Sequence, residues 1–329
     1  MGNTFYFDWE VTLMEWLQQF LGTVGVYLGS FFTMFGEELA LTAILGFLYW
    51  CYDKEYGKYI GTNMVVGIVW NPLIKNVFLR RRPYFDNPTI KCLKPVHSDA
   101  DIMDIAAQGF SFPSGHAMNS AIMYGSMAKY KKGNKILMAL AVILPLLIGL
   151  SRVIVGVHYP TDVLVGWGVG VIVLFLVSYL QKKIKKMWVL HLIIFVTSLA
   201  GMFYCKTNDY YTAMGIMGGF FLADAFERKF VNFENTKVIW RCILRFAGGI
   251  GTFLLMNFLL ELPFPDSILD SATTLQFVIR FFRYAIDAFF ALGLFPMLFN
   301  KIEKGKFIVR ADEVGEKAEK TTGTIAENA

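Results

Sequence analysis

Apolar stretches of about 17–25 residues, separated by short polar segments, run along most of this chain, and that is the length at which a helix crosses the hydrocarbon of a bilayer. Nine such spans are predicted, near Phe31–Trp50, Tyr59–Leu79, Phe112–Ala128, Ile136–Val157, Val163–Leu180, Met187–Cys205, Tyr211–Phe226, Val238–Leu260 and Leu275–Phe299. Ahead of them, Trp9, Leu13, Trp16, Leu17 and Phe20 recur at roughly helical spacing, with Glu10, Glu15 and Gln18 between. That stretch, Trp9–Leu21, reads as an interfacial helix lying on the membrane, or alternatively as part of a longer first span. The expected fold class is all-α: a polytopic membrane helical bundle of about nine transmembrane helices with an N-terminal interfacial helix. Four segments follow from the pattern: 1–30 interfacial, 31–181 a membrane core, 182–310 a membrane extension of four spans, and 311–329 a polar tail without periodicity that reads as disordered.

Composition agrees, with 55% hydrophobic residues and a mean hydropathy of +0.48. Charge sets the orientation. Lys54 and Lys58, then Lys129 to Lys135, Lys182 to Lys186, Arg228 to Lys237 and Lys301 to Lys306 fall in alternate loops, which the positive-inside rule assigns to the cytoplasm together with the C-terminus. If the source is bacterial, the membrane is the plasma membrane. The opposite side is almost free of Lys and Arg, except for the loop from Lys75 to Lys94. Positive charge placed against the rule needs a reason, and an anion to be bound is the simplest. Met1–Glu10 lacks the basic region of a signal peptide, so the first span is expected to serve as its own anchor. Cys51, Cys92, Cys205 and Cys242 have no metal-ligand spacing; Cys92 and Cys205 fall on one side, where a disulfide is open to them. Membrane lipids are the expected surroundings, and no nucleic-acid partner is expected.

Ionisable residues cost free energy near lipid, so three polar clusters at the ends of apolar runs stand out. They are Lys75-x6-Arg82-Pro83, Pro113-Ser114-Gly115-His116, and Ser151-Arg152-x5-His158-x3-Asp162. Counting spans puts all three at the extracytoplasmic face. The transition state for cleaving a phosphate ester spreads negative charge over three equatorial oxygens, so catalysis there is largely electrostatic positioning. Lys75, Arg82 and Arg152 supply cations, the two arginines as planar forks. Pro113 suits the first turn of a helix whose free N–H groups form an anion site, Gly115 lets that backbone approach closely, and Ser114 adds a hydroxyl. Asp162, in the first turn of the next span, can hold one nitrogen of His158 so that the other attacks phosphorus, while His116 protonates the leaving group and then activates water. The scheme uses no metal and no cofactor.

Other charged residues read differently. Arg80 and Arg81 are expected to snorkel or bind lipid head groups, and His191 to be structural. His97 with Asp99, Asp101 and Asp104 reads as a solvated loop, with a weak metal or gating site as the alternative. Arg283 and Asp287, four apart on one helix, read as facing charges; with Arg280 one turn earlier and Asp224 in the seventh span they are expected to be structural, holding spans together, unless Arg280 or Arg283 lines a cavity for the polar part of the substrate. Gly215, Gly218, Gly219, Gly248, Gly249 and Gly251 would let helices pack closely.

The three clusters resemble the signature of the type 2 phosphatidic acid phosphatase superfamily, the lipid phosphate phosphatases, over roughly Phe31–Leu180. The resemblance implies a helical membrane core with His158 as nucleophile, His116 as general acid and Asp162 supporting His158. It also implies phosphate binding by Lys75, Arg82, Ser114, Gly115 and Arg152. The nine-span layout is similar to the sphingosine-1-phosphate phosphatase and glucose-6-phosphatase branches, and Gly36-Glu37-Glu38 with Tyr49-Trp50-Cys51-Tyr52-Asp53 is similar to the former of these. The former tends to have Thr where Gly115 stands, so its substrate does not carry over.

The function expected is metal-independent hydrolysis of a lipid phosphate monoester or diphosphate at the extracytoplasmic or lumenal face, through a phosphohistidine. The alternatives are a lipid phosphotransferase using the same intermediate, and a phospholipid binding or transport protein, for which His158→Ala would retain function.

Overall fold

The computed structural model describes residues 2–269 and 271–299. The elements are helices: α1 (Asp8–Met34), α2 (Glu38–Phe47), α3 (Lys54–Phe78), the single turns α4 (Pro83–Asp86) and α5 (Ile105–Gln108), α6 (Gly115–Tyr130), α7 (Lys135–Ile154), α8 (Pro160–Lys183), α9 (Met187–Ser198), α10 (Asn208–Phe226), α11 (Ile239–Glu261), the single turn α12 (Asp266–Leu269) and α13 (Thr274–Phe289). Among the described residues the one extended pairing is an isolated bridge between Asn3 and Arg80, so the all-α expectation holds.

Helix lies at each of the nine predicted positions, but the span count is not reproduced by length and hydropathy. Among the described residues, four helical stretches satisfy both: Asp8–Tyr52, Lys135–Ile154, Pro160–Lys183 and Ile239–Glu261, with Met187–Phe203 a shorter apolar one. The others are short, as α6 is, or carry charge, as α3 does with Lys54, Glu55, Lys58 and Lys75.

The N-terminal division needs correction. Phe31–Trp50 is not one helix: α1 runs through residue 30 to Met34, the chain turns over 35–37, and α2 begins at Glu38. The break inside α1 falls at Gly22, whose φ of 47° is open to glycine and strained for other residues. The first arm is thus the Trp9–Leu21 stretch, but its Glu10 and Met14 are fully buried against the bundle. The second arm lies on α7, where Gly25 and Gly29 face Ile154 and Val155.

At the centre stands α6, packed on α3, α7 and α8. Contact with α8 is close because Gly166 lacks a side chain: a Cβ there would sit 2.7 Å from the Ser114 carbonyl oxygen. Met118, Ile122 and Met123 of α6 join Ile60, Val65 and Val69 of α3 and Tyr210, Met214 and Met217 of α10 in the main core. In the extension, α10 and α13 pack against each other at Gly215 and Gly219, as the sequence suggested, whereas Gly251 faces open space. The four thiols are free, so Cys92 and Cys205 are not bridged. The tail 311–329, expected to be disordered, lies outside the described residues.

Candidate active site

Helix direction brings the three clusters to one end of the bundle. Lys75 is in the last turn of α3, Gly115 opens α6, Arg152 is in the last turn of α7 and Asp162 is in the first turn of α8. The openings of α6 and α8 are tied together by the Ser114 N–H, which donates to the Asp162 carbonyl at 2.9 Å.

His158 lies in the turn before α8 and is buried. Its Nδ1 is 3.4 Å from Asp162 Oδ2, and its Nε2 is 3.5 Å from Arg82 Nη1. One ring nitrogen is thus backed by a carboxylate and the other faces a cation. The contact with Asp162 is long because Oδ2 also accepts the Tyr159 N–H at 2.8 Å, closing the N-terminus of α8. Burial first, then Arg82, Arg152, Lys75 and His116, hold His158 well below the usual imidazole range, so the ring is neutral and its lone pair is available.

The cations are held from outside the pocket. Arg82 donates Nε to the Gln108 and Gly109 carbonyls, at 2.9 and 3.1 Å, and Nη1 to the Val157 carbonyl at 2.9 Å. Arg152 donates Nη1 to Thr33 Oγ1 of α1 at 2.6 Å, while its buried Nε has no partner. Arg82, Arg152 and Lys75 all act electrostatically on both His116 and His158, and His116 acts on His158 as well. His116 Nε2 is buried without a hydrogen bond.

Two expectations are refined. Pro113 is not in the first turn of α6; Ser114 is the N-cap, its Oγ accepting the Ala117 N–H at 3.5 Å, so Pro113 precedes the helix. Gly115 sits against Asn71 of α3, whose Oδ1 a Cβ would meet at 3.1 Å. Asn71, absent from the sequence-based site, donates Nδ2 to the Pro113 carbonyl at 3.1 Å and braces the loop before α6. The only trace of it in the sequence is an amide before Pro72 within an apolar span.

Arg80 departs most from expectation. It neither snorkels nor faces solvent but is 1% exposed, with Nη1 2.6 Å from Asp162 Oδ1 and Nη2 2.9 Å from Glu10 Oε2. The reason is proximity: the chain just after α3 brings Arg80 within hydrogen-bond reach of Asp162 in the first turn of α8. Arg81, its neighbour, pairs with Asp86 and is partly exposed.

Most of the other charged residues singled out in the sequence have partners of their own. Around His97 the Gln108 side chain bonds Val96 and His97 backbone, and Asp104 caps α5. His191 stacks on Phe221 with ring centroids 4.1 Å apart. Asp224 pairs with Arg228 and with Lys58. The expected Arg283–Asp287 pair is corrected: Arg283 turns to Glu261 and Asn257 of α11, each at 3.0 Å, and Asp287 Oδ1 is left buried without a hydrogen bond.

A helical membrane bundle with Lys75, Arg82, Arg152, His116 and His158 gathered at one end narrows the class, and comparison with known proteins gives the family. Residues 55–186 match the PAP2 superfamily, and residues 211–306 match the transmembrane extension of PAP2 superfamily phosphatases. An undecaprenyl-diphosphatase of Sulfolobus acidocaldarius is 31% identical over 166 residues, covering 48% of this chain and 73% of that protein. Phosphatidylglycerophosphatase B of Bacillus subtilis is 41% identical over 85 residues, covering 23% of this chain and 42% of that protein. An undecaprenyl-diphosphatase of the same organism is 37% identical over 124 residues, covering 38% and 57%. The chain thus spans less than two thirds of the two Bacillus proteins. No solved structure gives a significant match. The chain belongs to the PAP2 superfamily and carries the membrane extension of its phosphatases; it is an integral membrane protein.

Proposed function

We propose that this protein is a lipid phosphatase that hydrolyses a phosphate monoester or diphosphate at the extracytoplasmic face through a phosphohistidine. The observation that carries the reading is the position of His158, with Nδ1 3.4 Å from Asp162 and Nε2 facing Arg82 at 3.5 Å. A phosphoryl group held by Arg82, Arg152 and Lys75 meets that lone pair. The N–P bond forms as the P–O bond to the leaving group breaks, the lipid alcohol in a monoester or the lipid monophosphate in a diphosphate, and the leaving oxygen takes a proton from protonated His116. His116 then takes a proton from water, whose oxygen attacks phosphorus; the N–P bond breaks and inorganic phosphate leaves. Asp162 offsets the positive charge that builds on the His158 ring. The names of the relatives favour a polyprenyl diphosphate or phosphatidylglycerophosphate as substrate. The lysine-poor side on which the clusters fall supports the extracytoplasmic assignment.

The test is phosphate release by the purified protein from undecaprenyl diphosphate, phosphatidylglycerophosphate and phosphatidic acid, with EDTA present and His158→Ala as blank. Release from at least one lipid, lost with labelled phosphoenzyme in His158→Ala, is expected. Activity abolished by EDTA, or retained by His158→Ala, would overturn the mechanism.

A further inference from the structure

The first arm of α1 reaches the back of the site through an ion chain that the catalytic scheme above does not use. Glu10 and Asp162 are fully buried and Arg80 is 1% exposed. The Arg80 guanidinium is bonded along its whole edge: Nε to the Phe5 carbonyl at 2.8 Å, Nη1 to Asp162 Oδ1 at 2.6 Å and Thr161 Oγ1 at 2.8 Å, and Nη2 to Glu10 Oε2 at 2.9 Å. The Tyr159 and Phe5 rings lie over it at 4.1 and 4.8 Å. Glu10 is bonded as fully, taking Thr161 N–H and Oγ1 on Oε1 at 3.0 and 2.6 Å, and the Phe7 N–H on Oε2 at 2.9 Å. These bonds hold Arg80 on Asp162, Thr161 and Glu10 and away from the phosphate pocket. It holds one oxygen of the carboxylate whose other oxygen faces His158.

We propose that Glu10 and Arg80 are positioning residues for the reaction at His158, members of a carboxylate–guanidinium–carboxylate chain that orients Asp162 and leaves one net negative charge behind the ring. The proposal rests on the reading of His158 as nucleophile. Charge explains why both members are needed. Arg80 alone would fix Asp162 but cancel its negative charge, leaving nothing to stabilise the imidazolium-like ring as it attacks. Glu10 neutralises Arg80, so the chain as a whole presents one net negative charge to His158. An ion triad of this burial is a poor source of stability, because desolvation consumes most of its attraction. Its place directly behind the nucleophile, where outer partners fix a ring's tautomer, accounts for it better. Glu10 lies outside residues 55–186, so the site draws on a part of the chain that the superfamily match does not include.

The experiment uses the full-length protein in detergent, with Glu10→Gln, Arg80→Lys and the double variant Glu10→Gln/Arg80→Lys, and two readouts. Turnover of whichever of undecaprenyl diphosphate, phosphatidylglycerophosphate and phosphatidic acid the wild type hydrolyses fastest is expected to fall roughly 10- to 100-fold in kcat in each single variant, the scale of losing an outer partner of a working histidine, with KM unchanged because Lys75, Arg82 and Arg152 are untouched. Lysine keeps the charge but cannot bridge two carboxylates, so Arg80→Lys is not expected to rescue, and the double variant should lose no more than the worse single one. The second readout is ¹⁵N-histidine NMR. The chain has four histidines, His158→Ala assigns the signal, and His191 in α9 reports that the bundle is intact. Wild type should show one His158 tautomer protonated at Nδ1, and the variants a mixture or a shifted titration. The charged groups facing that ring are Asp162, Arg82, Arg152, Lys75 and His116, and only the chain behind Asp162 is altered. Wild-type kcat in both single variants, or an unchanged His158 signal, would overturn the proposal. Should wild type release no phosphate from any lipid, the phosphatase reading fails, and the NMR comparison still decides the ion chain either way.

Discussion

His158 sits where burial and three cations all disfavour protonation, and this has a sign that activity can report. Its folded pKa is lowered, so between that value and the ordinary imidazole value of about 6.5 the folded protein keeps a neutral nucleophile while an unfolded chain would bind the proton. The acid limb of kcat/KM, which reports the free enzyme, is therefore expected below about pH 6.5; a limb assigned to His158 at or above it would contradict its placement. The same linkage makes this residue's contribution to stability fall as pH drops below about 6.5. Arg82 supports a second prediction. Its Nε and Nη1 are bonded to three carbonyls, so charge alone does not place it. Arg82→Lys keeps the charge and loses the fork, leaving buried carbonyls unpaired at about 1–3 kcal/mol. A drop in kcat/KM of at least about tenfold is expected, and wild-type kcat/KM would show that a point charge suffices.

Elements carry these residues, and the contact of α6 with α8 fixes their register. Ser114 and Asp162 are joined main chain to main chain, and Gly166 leaves no room between the helices. Gly166→Leu must push α8 away from the Ser114 carbonyl, separating His116 from the His158–Asp162 turn. The overpacking is expected to cost about 1–3 kcal/mol in thermal unfolding in detergent, with activity lost ahead of folding. A folded, fully active Gly166→Leu protein would mean that the two helices are not the frame of the site. Asn71, Thr33 and the Gln108 carbonyl do similar work from α3, α1 and α5, tying those elements to the Pro113 carbonyl, to Arg152 and to Arg82.

At the scale of the molecule, the core and the extension meet at a buried ammonium. Lys58 of α3, 4% exposed, pairs with Asp224 of α10 at 3.1 Å and with Glu227 in the π-helical turn that follows, and Lys54 adds a second bond to Glu227 at 3.0 Å. Removing one partner from such a cluster leaves uncompensated charge. Lys58→Met is expected to cost about 3–5 kcal/mol, read as an early thermal transition, and Lys58→Met with Asp224→Asn and Glu227→Gln to recover most of it. A Lys58→Met protein as stable as wild type would show that the two halves are held by apolar packing alone.

Sequence by itself determined what is local or additive. Apolar length and period placed helices in their order along the chain, though not the number of spans, and counting them put the three clusters at helix ends. Tertiary structure alone decided what depends on partners far away in the chain. That Arg80 is spent on Asp162 and Glu10 and not on lipid, that Asn71 braces Pro113, that Arg283 turns to α11 and leaves Asp287, and that the first predicted span breaks at 35–37 all follow from which helices touch. The physical reason is that a buried charge or amide takes whichever partner packing brings within hydrogen-bond reach, and one chain's spacing records its neighbours in sequence but not those across a helix interface.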